Sequence, residues 1–98
     1  MRMMLQMSIP VEAGNAAVLN GTLGATLQKL IADLKPEASY FVANENGERS
    51  GFLVFDMKES SQIPAIAEPL FLGLHARIKL MPVMNGEDLA KGLGALHK

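Results

Sequence analysis

Apolar and polar residues nearly alternate along the first nine residues of the chain. One face of this segment is wholly apolar and carries Met3, Leu5, Met7 and Ile9. The opposite face carries Arg2, Met4, Gln6 and Ser8. A period of two is typical of a β-strand, because successive side chains of a strand point to opposite faces. The pattern predicts a strand over 2–9, which Pro10 closes before a helix.

From residue 11 to residue 34 the apolar spacing becomes that of a helix. The second half of this segment has an apolar stripe of Leu23, Leu27, Leu30, Ile31 and Leu34. Asn20 and Gly21 interrupt the segment, and both tolerate the positive φ that ends a helix. We therefore predict a helix with an irregular or broken first half, and Thr22 as the N-cap of the second half. The ring of Pro36 ends this helix, since it disfavours helical geometry at Lys35.

A β-hairpin is the clearest local signal in the chain. Residues 38–44 and 51–57 are rich in aromatic and β-branched residues, which favour strands. Asn46-Gly47 lies between them, and this pair is preferred in tight hairpin turns because both positions accept left-handed geometry. The sequence thus predicts two antiparallel strands joined by a turn at 46–47.

The last third of the chain predicts a helix, a strand and a short final helix. Ser60 and Ser61 are N-cap candidates for the first helix, and Pro69 should bend or break it. Its apolar stripe consists of Ile63, Ile66, Ala67, Leu70 and Leu74. A strand follows over about 76–84. The acidic segment 85–88 then resembles a capped helix start. The final helix carries an apolar stripe of Leu89, Leu93 and Leu96.

The predicted elements follow the order strand, helix, strand, strand, helix, strand over a single domain, residues 1–98. This order indicates an α+β fold of ferredoxin-like type, in which an antiparallel sheet has both helices on one face. The more apolar side chains of the strands should face the helices. These are Met3, Leu5, Met7, Phe41, Ala43, Leu53, Phe55, Ile78 and Leu80.

The opposite face of the sheet is also unusually apolar. A sheet face in contact with water should be polar, yet this face would carry Met4, Tyr40, Val42, Phe52, Val54 and Met81. Large apolar patches on soluble proteins usually mark an interface, and two sheets can pack face to face. We therefore predict a homodimer in which these six residues form the interface.

The element order and three segments resemble the dimeric α/β-barrel proteins of ferredoxin-like fold, over almost the whole chain. The three segments are 33–37, 51–56 and 82–85. The pattern is most similar to small bacterial members without an established activity. The resemblance implies that two sheets enclose a barrel, with ligands inside it or between sheet and helices. The family includes monooxygenases, lactone isomerases and haem-degrading enzymes, so the fold alone does not select an activity.

Composition excludes several classes of function. The net charge of −1 provides no basic field for a phosphate backbone, so we expect no nucleic-acid partner. The chain has no cysteine, which excludes disulfides and thiolate metal sites. The first residues do not resemble a signal peptide, and no apolar stretch approaches the roughly 20 residues that span a bilayer. We expect a cytoplasmic protein with no membrane contact.

Two residues are candidates for catalysis, His75 and Tyr40. His75 comes just before the fourth strand, where it can serve as a base or a haem ligand. The resemblance implies that haem-degrading members use a histidine in this helix, an asparagine on the first strand and a tryptophan. This chain has Gln6 or Ser8 on that strand and no tryptophan. We therefore expect no haem and no other cofactor. A solvated or structural histidine is the alternative at 75, and we assign no role to His97.

Arg77 and Lys79 are two apart on one strand and so point to the same face. If that face is enclosed in a dimer, they must contact carboxylates, bind an anionic ligand or lie at a wet rim. Asp56 and glutamates near the rim are candidate partners. The alternative is that both are edge charges that prevent aggregation. Gln6 and Tyr40 on the same face are further candidates for orienting a ligand. Glu87 and Asp88 are explained by the dipole of the final helix, so we expect no metal site.

The sequence is consistent with three kinds of function. The first is a homodimer that binds a small organic molecule or acts as an accessory protein without demonstrable catalysis. The second is a cofactor-independent enzyme of monooxygenase or isomerase type, using His75, Tyr40 or Arg77 in one pocket. The third is a regulatory domain that binds another protein. The apolar sheet face and the lack of a catalytic motif favour the first.

Overall fold

The computed structural model describes residues 1–97, which form one four-stranded sheet and four α-helices. The strands are β1 (Arg2–Ile9), β2 (Ala38–Ala43), β3 (Arg49–Asp56) and β4 (Arg77–Pro82). The helices are α1 (Val11–Leu19), α2 (Thr22–Leu34), α3 (Ile63–Leu74) and α4 (Gly86–Gly94). Short 3₁₀ turns precede α3 at Ser60–Gln62 and follow α4 at Ala95–His97. The predicted α+β class and element order are confirmed.

All strand pairs are antiparallel, and the strands lie in the order β2-β3-β1-β4. This arrangement is the ferredoxin-like topology that the element order predicts. Leu5 pairs with Leu53 on one side and with Leu80 on the other. The alternation of β1 therefore continues in register across its neighbours, and each face of the sheet carries alternate residues of every strand: the helix-facing residues have odd numbers in β1, β2 and β3 and even numbers in β4.

The core lies between one face of the sheet and helices α1, α2 and α3. Its side chains from β1 and β3 are almost fully buried, and those from the helices pack onto them. The largest fully buried side chains are Leu5, Met7, Leu53, Phe55, Leu70 and Leu74. The predicted assignment of faces is thus confirmed for β1 and β3. On the edge strand β2, Phe41 and Ala43 share the helix-facing parity but are exposed.

The helical segment after β1 is divided at Gly21, as its sequence predicts. Gly21 has a φ of 81°, a left-handed conformation that glycine adopts without steric cost. The predicted N-cap Thr22 is wrong, because Thr22 is already the first helical residue. Asn20 supplies the capping contact instead, since its Oδ1 accepts a hydrogen bond from the Thr22 backbone N–H at 2.9 Å.

The start of α3 also differs from the prediction. Neither Ser60 nor Ser61 is an N-cap; the Gln62 Oε1 accepts hydrogen bonds from the backbone N–H groups of Lys58 and Glu59 at 2.8 and 3.0 Å. Pro69 does not break the helix, which continues to Leu74. The proline lies one residue before the buried Leu70, so packing against the sheet holds this stretch helical despite the lost hydrogen bond.

The final helix α4 begins as predicted and then leaves the body of the protein. The Asn85 Oδ1 accepts a hydrogen bond from the Asp88 N–H at 2.8 Å, and the Asp88 Oδ2 accepts one from the Asn85 N–H at 3.1 Å. This reciprocal pair is a capping box. Every residue of α4 is exposed. The principal extents of 56, 29 and 17 Å show how elongated the protein is.

Candidate functional site

The sheet face that is not covered by helices, here called the open face, has an apolar end and a polar end. Residues that pair across the four strands form rows on this face. One row is entirely apolar and consists of Ala38, Val54, Met4 and Met81. The next row is mixed and consists of Tyr40, Phe52, Gln6 and Lys79. The third row is mostly polar and consists of Val42, Ser50, Ser8 and Arg77.

At the polar end, four side chains are joined by hydrogen bonds around Glu48. The Ser8 hydroxyl donates to the Glu48 Oε1 at 2.8 Å, and the Asn44 Nδ2 donates to the Ser8 Oγ at 2.9 Å. The Arg77 Nη1 donates to the same Glu48 Oε1 at 2.6 Å. We call Ser8, Asn44, Glu48 and Arg77 the Glu48 cluster. Together they connect the β2–β3 hairpin to β1 and β4.

The geometry of the hairpin places Glu48 in this cluster. Gly47 adopts a φ of 73°, and its N–H donates to the Asn44 carbonyl at 2.9 Å. The Asn44 Oδ1 also accepts from the N–H groups of Asn46 and Glu48, at 2.9 and 3.0 Å. Of the predicted Asn46-Gly47 pair, only Gly47 uses left-handed geometry. The tight turn brings Glu48 over the open face, beside Ser8.

Glu48 is ionised more readily than an ordinary glutamate. The hydrogen bond from Ser8 lowers the pKa of Glu48 most, and the hydrogen bond from Arg77 lowers it further. The Glu48 side chain is only 13% exposed, whereas that of Arg77 is 68% exposed. Because Arg77 Nη1 binds Glu48 from the solvent side, the remaining donors of its guanidinium stay available to another group.

A shallow cleft of about 260 Å³ lies over the Glu48 cluster. It is bounded by the hairpin on one side and by β4 on the other, and Gln6 and Lys79 extend its polar lining. Within residues 1–97, Lys79 makes no salt bridge and no side-chain hydrogen bond. On its β4 side the cleft therefore offers one ammonium group and the free edge of a guanidinium beside the Gln6 amide, and on its hairpin side it is lined by Glu45 and Asn46 as well as by Asn44 and Glu48.

Three of the four predicted ligand-binding residues meet in this cleft. Gln6, Arg77 and Lys79 all line it. Tyr40 lies in the same cross-strand row as Gln6, but Phe52 lies between them, so the two are about 10 Å apart across the sheet. The Tyr40 side chain is 69% exposed and lines no part of the cleft.

The predicted catalytic candidates are not brought together. His75 ends α3 in a left-handed conformation with a φ of 55°, and it is exposed. It borders a different cleft, which is formed with Pro10 and the first turns of α1. Tyr40 lies on the open face of β2. His97 is exposed in the 3₁₀ turn after α4.

Asp56 is not the partner of Arg77 or Lys79. Its carboxylate forms ion pairs with Lys58 and with the amino group of Met1, at the end of β3 away from the Glu48 cluster. The hydrogen bond from Lys58, followed by that from the amino group, lowers the pKa of Asp56 to about 2. Among the glutamates considered near the rim, Glu48 is the one that pairs with Arg77.

The six predicted interface residues all lie on the open face. Met4, Phe52, Val54 and Met81 are half-buried by their neighbours, and Tyr40 and Val42 on the edge strand β2 are exposed. They form one apolar area that begins beside the Glu48 cluster and continues to the apolar end. The interface itself stays a prediction.

A second cleft, of about 390 Å³, lies on the helix side of the sheet, between α2 and β2. Its walls are mainly apolar and include Leu23, Leu27 and the half-exposed ring of Phe41. Phe41 packs against Gly51, where a Cβ atom would come within 2.9 Å of the ring. This cleft has few groups that could orient a polar ligand, so the Glu48 cluster is the stronger candidate site.

Three members of the Glu48 cluster, Ser8, Asn44 and Glu48, are not among the site residues predicted from the sequence. A signal for them is present. Ser8 is two residues from Gln6 and therefore lies on the same face of β1, and Glu48, just before β3, is four residues from Phe52, a spacing that puts both on one face of an extended chain. Asn44 and Glu48 also flank the predicted turn, so a hairpin brings them together.

Comparisons with known proteins give no further assignment, since the sequence matches no protein-family model and no curated protein. In the described part of the chain, no cluster of three or more histidine, aspartate or glutamate side chains is arranged to hold a metal ion. None of the helices within residues 1–97 has the length and apolar character needed to cross a bilayer.

Proposed function

We propose that this protein is a homodimer that binds a small organic anion at the polar end of the open face and has no catalysis of its own. The observation that carries the proposal is the cleft over the Glu48 cluster. There the chain fixes one cation by an ion pair and leaves a second, Lys79, without a partner inside residues 1–97. A preorganised polar group beside an apolar surface is typical of small-molecule sites.

The two cations on the β4 side of the cleft favour an anionic group there, facing away from Glu45 and Glu48 on the hairpin side. Glu48 holds Arg77 in place, which reduces the entropy that a ligand would have to overcome to order the guanidinium. The free donors of Arg77 can bind a carboxylate, and Lys79, two residues further along the same face, adds a second positive charge. Gln6 lies between Lys79 and Phe52 in one cross-strand row, so an apolar portion of the ligand can extend past its amide toward Phe52.

Binding without catalysis is favoured by the arrangement of the titratable groups. A general base works best when its pKa lies near the working pH, but the pKa of Glu48 is lowered. Ser8 donates to that carboxylate and is itself held by Asn44. His75 lies in another cleft, and Tyr40 is separated from Gln6 by Phe52. The enzyme alternative requires these groups to converge on one pocket.

The homodimer is part of the proposal because the open face carries six apolar residues that stay half-buried or exposed in one subunit. Pairing of two open faces would remove this surface from water and would deepen the cleft, which is shallow in one subunit. The arrangement is that of the dimeric α/β-barrel superfamily, and we propose membership in it, with a bacterial origin and a cytoplasmic location, from the element order and segments described above.

Native mass spectrometry of the purified chain tests the dimer and a bound ligand together. We expect a species of twice 10.5 kDa and, at low activation, an additional small mass that collisional activation removes. If the purified chain is found in complex with a different protein and carries no small molecule, the regulatory alternative is favoured. A strictly monomeric protein at micromolar concentration would contradict the proposal.

Ligand class is tested by titrating acetate, succinate and benzoate into uniformly ¹⁵N-labelled protein and following amide chemical shifts. We expect shifts at Gln6, Ser8 and Lys79. Lys79→Gln should weaken binding by about tenfold, since a hydrogen bond to a charged group contributes roughly 1.5–3 kcal/mol. Lys29→Gln is the matched control, because Lys29 lies on α2 and pairs with Asp33. Equal loss in both variants, or no shifts at the cleft, would contradict an anion site.

A further inference from the structure

The segment from Gly86 to His97, here called the C-terminal arm, carries an apolar stripe that nothing in its own subunit covers. The stripe consists of Leu89, Leu93 and Leu96, which are 46%, 52% and 77% exposed. Positions 89, 93 and 96 fall on one side of a helix. Lys91 lies on the opposite side. The arm is therefore amphipathic but unpartnered.

Helical structure in the arm needs a surface to pack on. Isolated helices shorter than about 12–15 residues are marginal in water, and α4 has nine residues. Three of them are the glycines at 86, 92 and 94, and glycine has a much lower helix propensity than alanine. The capping box at Asn85 fixes the start of the helix but covers none of the leucines.

The arm begins beside the apolar end of the open face. Arg2 lies on this face, two residues before Met4. Its Nε donates to the Glu37 Oε1 at 2.6 Å, and its Nη1 donates to the Asp88 Oδ2 in the first turn of α4 at 3.2 Å. The Val83 N–H also donates to the Arg2 carbonyl at 3.1 Å. These contacts hold the root of the arm at the rim of the surface proposed to pair with a second copy.

The size of the open face also favours a second copy as the partner of the arm. Four strands about 4.8 Å apart, each six to eight residues long, give a plan area of about 450 Å². The polar cleft takes up one end of that area. Stable interfaces bury about 800 Å² on each partner. The value of about 450 Å² is a flat area and that of about 800 Å² is accessible surface, but with its polar end excluded the open face is still a small interface, which apolar contact from each arm would enlarge.

We propose that each C-terminal arm packs across the second copy of the chain, burying Leu89, Leu93 and Leu96 against the partner subunit. This inference rests on the homodimer of the proposed function. Two-fold symmetry makes the contact reciprocal, so both stripes are covered at once. The arm enlarges the interface beyond the open face and continues it past the rim at Arg2.

Sedimentation velocity on the full chain tests the arm separately from the sheet face. Leu93→Glu should raise the dimer dissociation constant about tenfold or more, because it places a charge where an apolar side chain would be buried. Lys91→Glu introduces the same residue on the opposite side of α4 and should leave the constant within about twofold. Circular dichroism of each variant verifies that the sheet and helices α1–α3 are folded.

A mixed-isotope cross-linking experiment identifies which copy the arm contacts without any substitution. Equal amounts of ¹⁴N and ¹⁵N protein are exchanged and treated with a short amine-reactive cross-linker. Pairs that join Lys91 to a lysine of the other isotope support the proposal. Pairs of one isotope only would show that the arm folds back on its own subunit and would overturn it.

The two proposals fail in distinguishable ways. If Phe52→Glu gives a monomer while Leu93→Glu keeps the wild-type dissociation constant, the dimer of the proposed function stands and the role of the arm is overturned. If the wild-type chain is a monomer, the dimer fails, and the arm contact fails with it.

Discussion

Glu48 accepts hydrogen bonds from two residues of different strands, so one carboxylate links the hairpin to β1 and β4 in addition to the backbone pairing of the sheet. The hydrogen bonds from Ser8 and Arg77 both favour its ionised form, and the pKa of Glu48 is lowered in consequence. A group whose pKa is lower in the folded than in the unfolded chain stabilises the fold at pH values above its ordinary pKa. That stabilisation is lost as the pH falls through the lowered value.

Glu48→Gln should therefore reduce the free energy of unfolding at pH 7, and the difference from wild type should shrink as the pH falls below the ordinary carboxyl pKa of 4.5. At low pH the protonated glutamic acid and the amide have the same charge and nearly the same shape. Urea unfolding at pH 7, 4 and 3 measures the difference. The control is Glu45→Gln, which removes the same charge from the exposed hairpin. A pH-independent difference for Glu48→Gln would contradict the linkage.

The residues of the site are predictable in part. Period-two patterning is sufficient to place Gln6, Arg77 and Lys79 on one face, because parity in a strand determines the face. The pairing of Glu48 with Arg77 is not predictable in the same way. It depends on the left-handed conformation of Gly47 and on the hydrogen bonds of the Asn44 side chain across the turn. The alternation of apolar and polar residues contains no information about either.

At the scale of elements, the glycine at position 21 separates two helices that the apolar pattern alone would join. Its φ of 81° is costly for any residue with a Cβ atom, by about 1–2 kcal/mol. Gly24, three residues later, lies inside α2 with ordinary helical geometry. A Cβ atom at either position would have no atom within 4 Å, so sterics with neighbours do not distinguish them.

We expect opposite effects of alanine at these two glycines. Gly21→Ala should lower the free energy of unfolding by about 1 kcal/mol, because alanine is strained in left-handed geometry. Gly24→Ala should raise it by about 0.5 kcal/mol, because alanine restricts the unfolded chain and favours the helix. Urea denaturation at one fixed protein concentration measures both. Unchanged stability of Gly21→Ala would indicate that the break between α1 and α2 does not depend on Gly21, and destabilisation by both substitutions would contradict the expected contrast between the two positions.

The boundaries of elements are less predictable than their order. Ser60 and Ser61 are residue types that favour N-cap positions, yet the turn begins at Ser60, and the Gln62 side chain accepts from the preceding N–H groups of Lys58 and Glu59. Pro69 is a helix breaker by intrinsic propensity, but the neighbouring Leu70 is fully buried and α3 is continuous. In both cases a contact outside the local pattern prevails over the preference of one residue.

At the scale of the whole molecule, the two faces of the sheet differ in how apolar they are and in what covers them within one subunit. The helix-facing parity is apolar because it forms the core within one subunit, and the register from Leu5 to Leu53 and Leu80 confirms it. The open-face parity is apolar over only part of its length and polar around Glu48. A sequence can predict that this surface is unusually apolar for contact with water, but the strand pattern does not encode what would cover it.

Phe52 lies near the middle of the open face, between Tyr40 and Gln6, so it is the position at which a charge should affect pairing of two faces most. Phe52→Glu should convert a dimer to a monomer at micromolar concentration, because an unpaired carboxylate would otherwise be buried in the interface. Phe71→Glu is the matched control. Phe71 is an exposed phenylalanine on α3, in the helix layer.

Sedimentation velocity of both variants, with circular dichroism to verify folding, decides between two explanations of the apolar face. If Phe52→Glu dissociates the dimer and Phe71→Glu does not, the open face is the contact between copies. If both variants remain dimeric, association uses another surface. Binding of a small anion would then have to be explained by the cleft of one subunit alone.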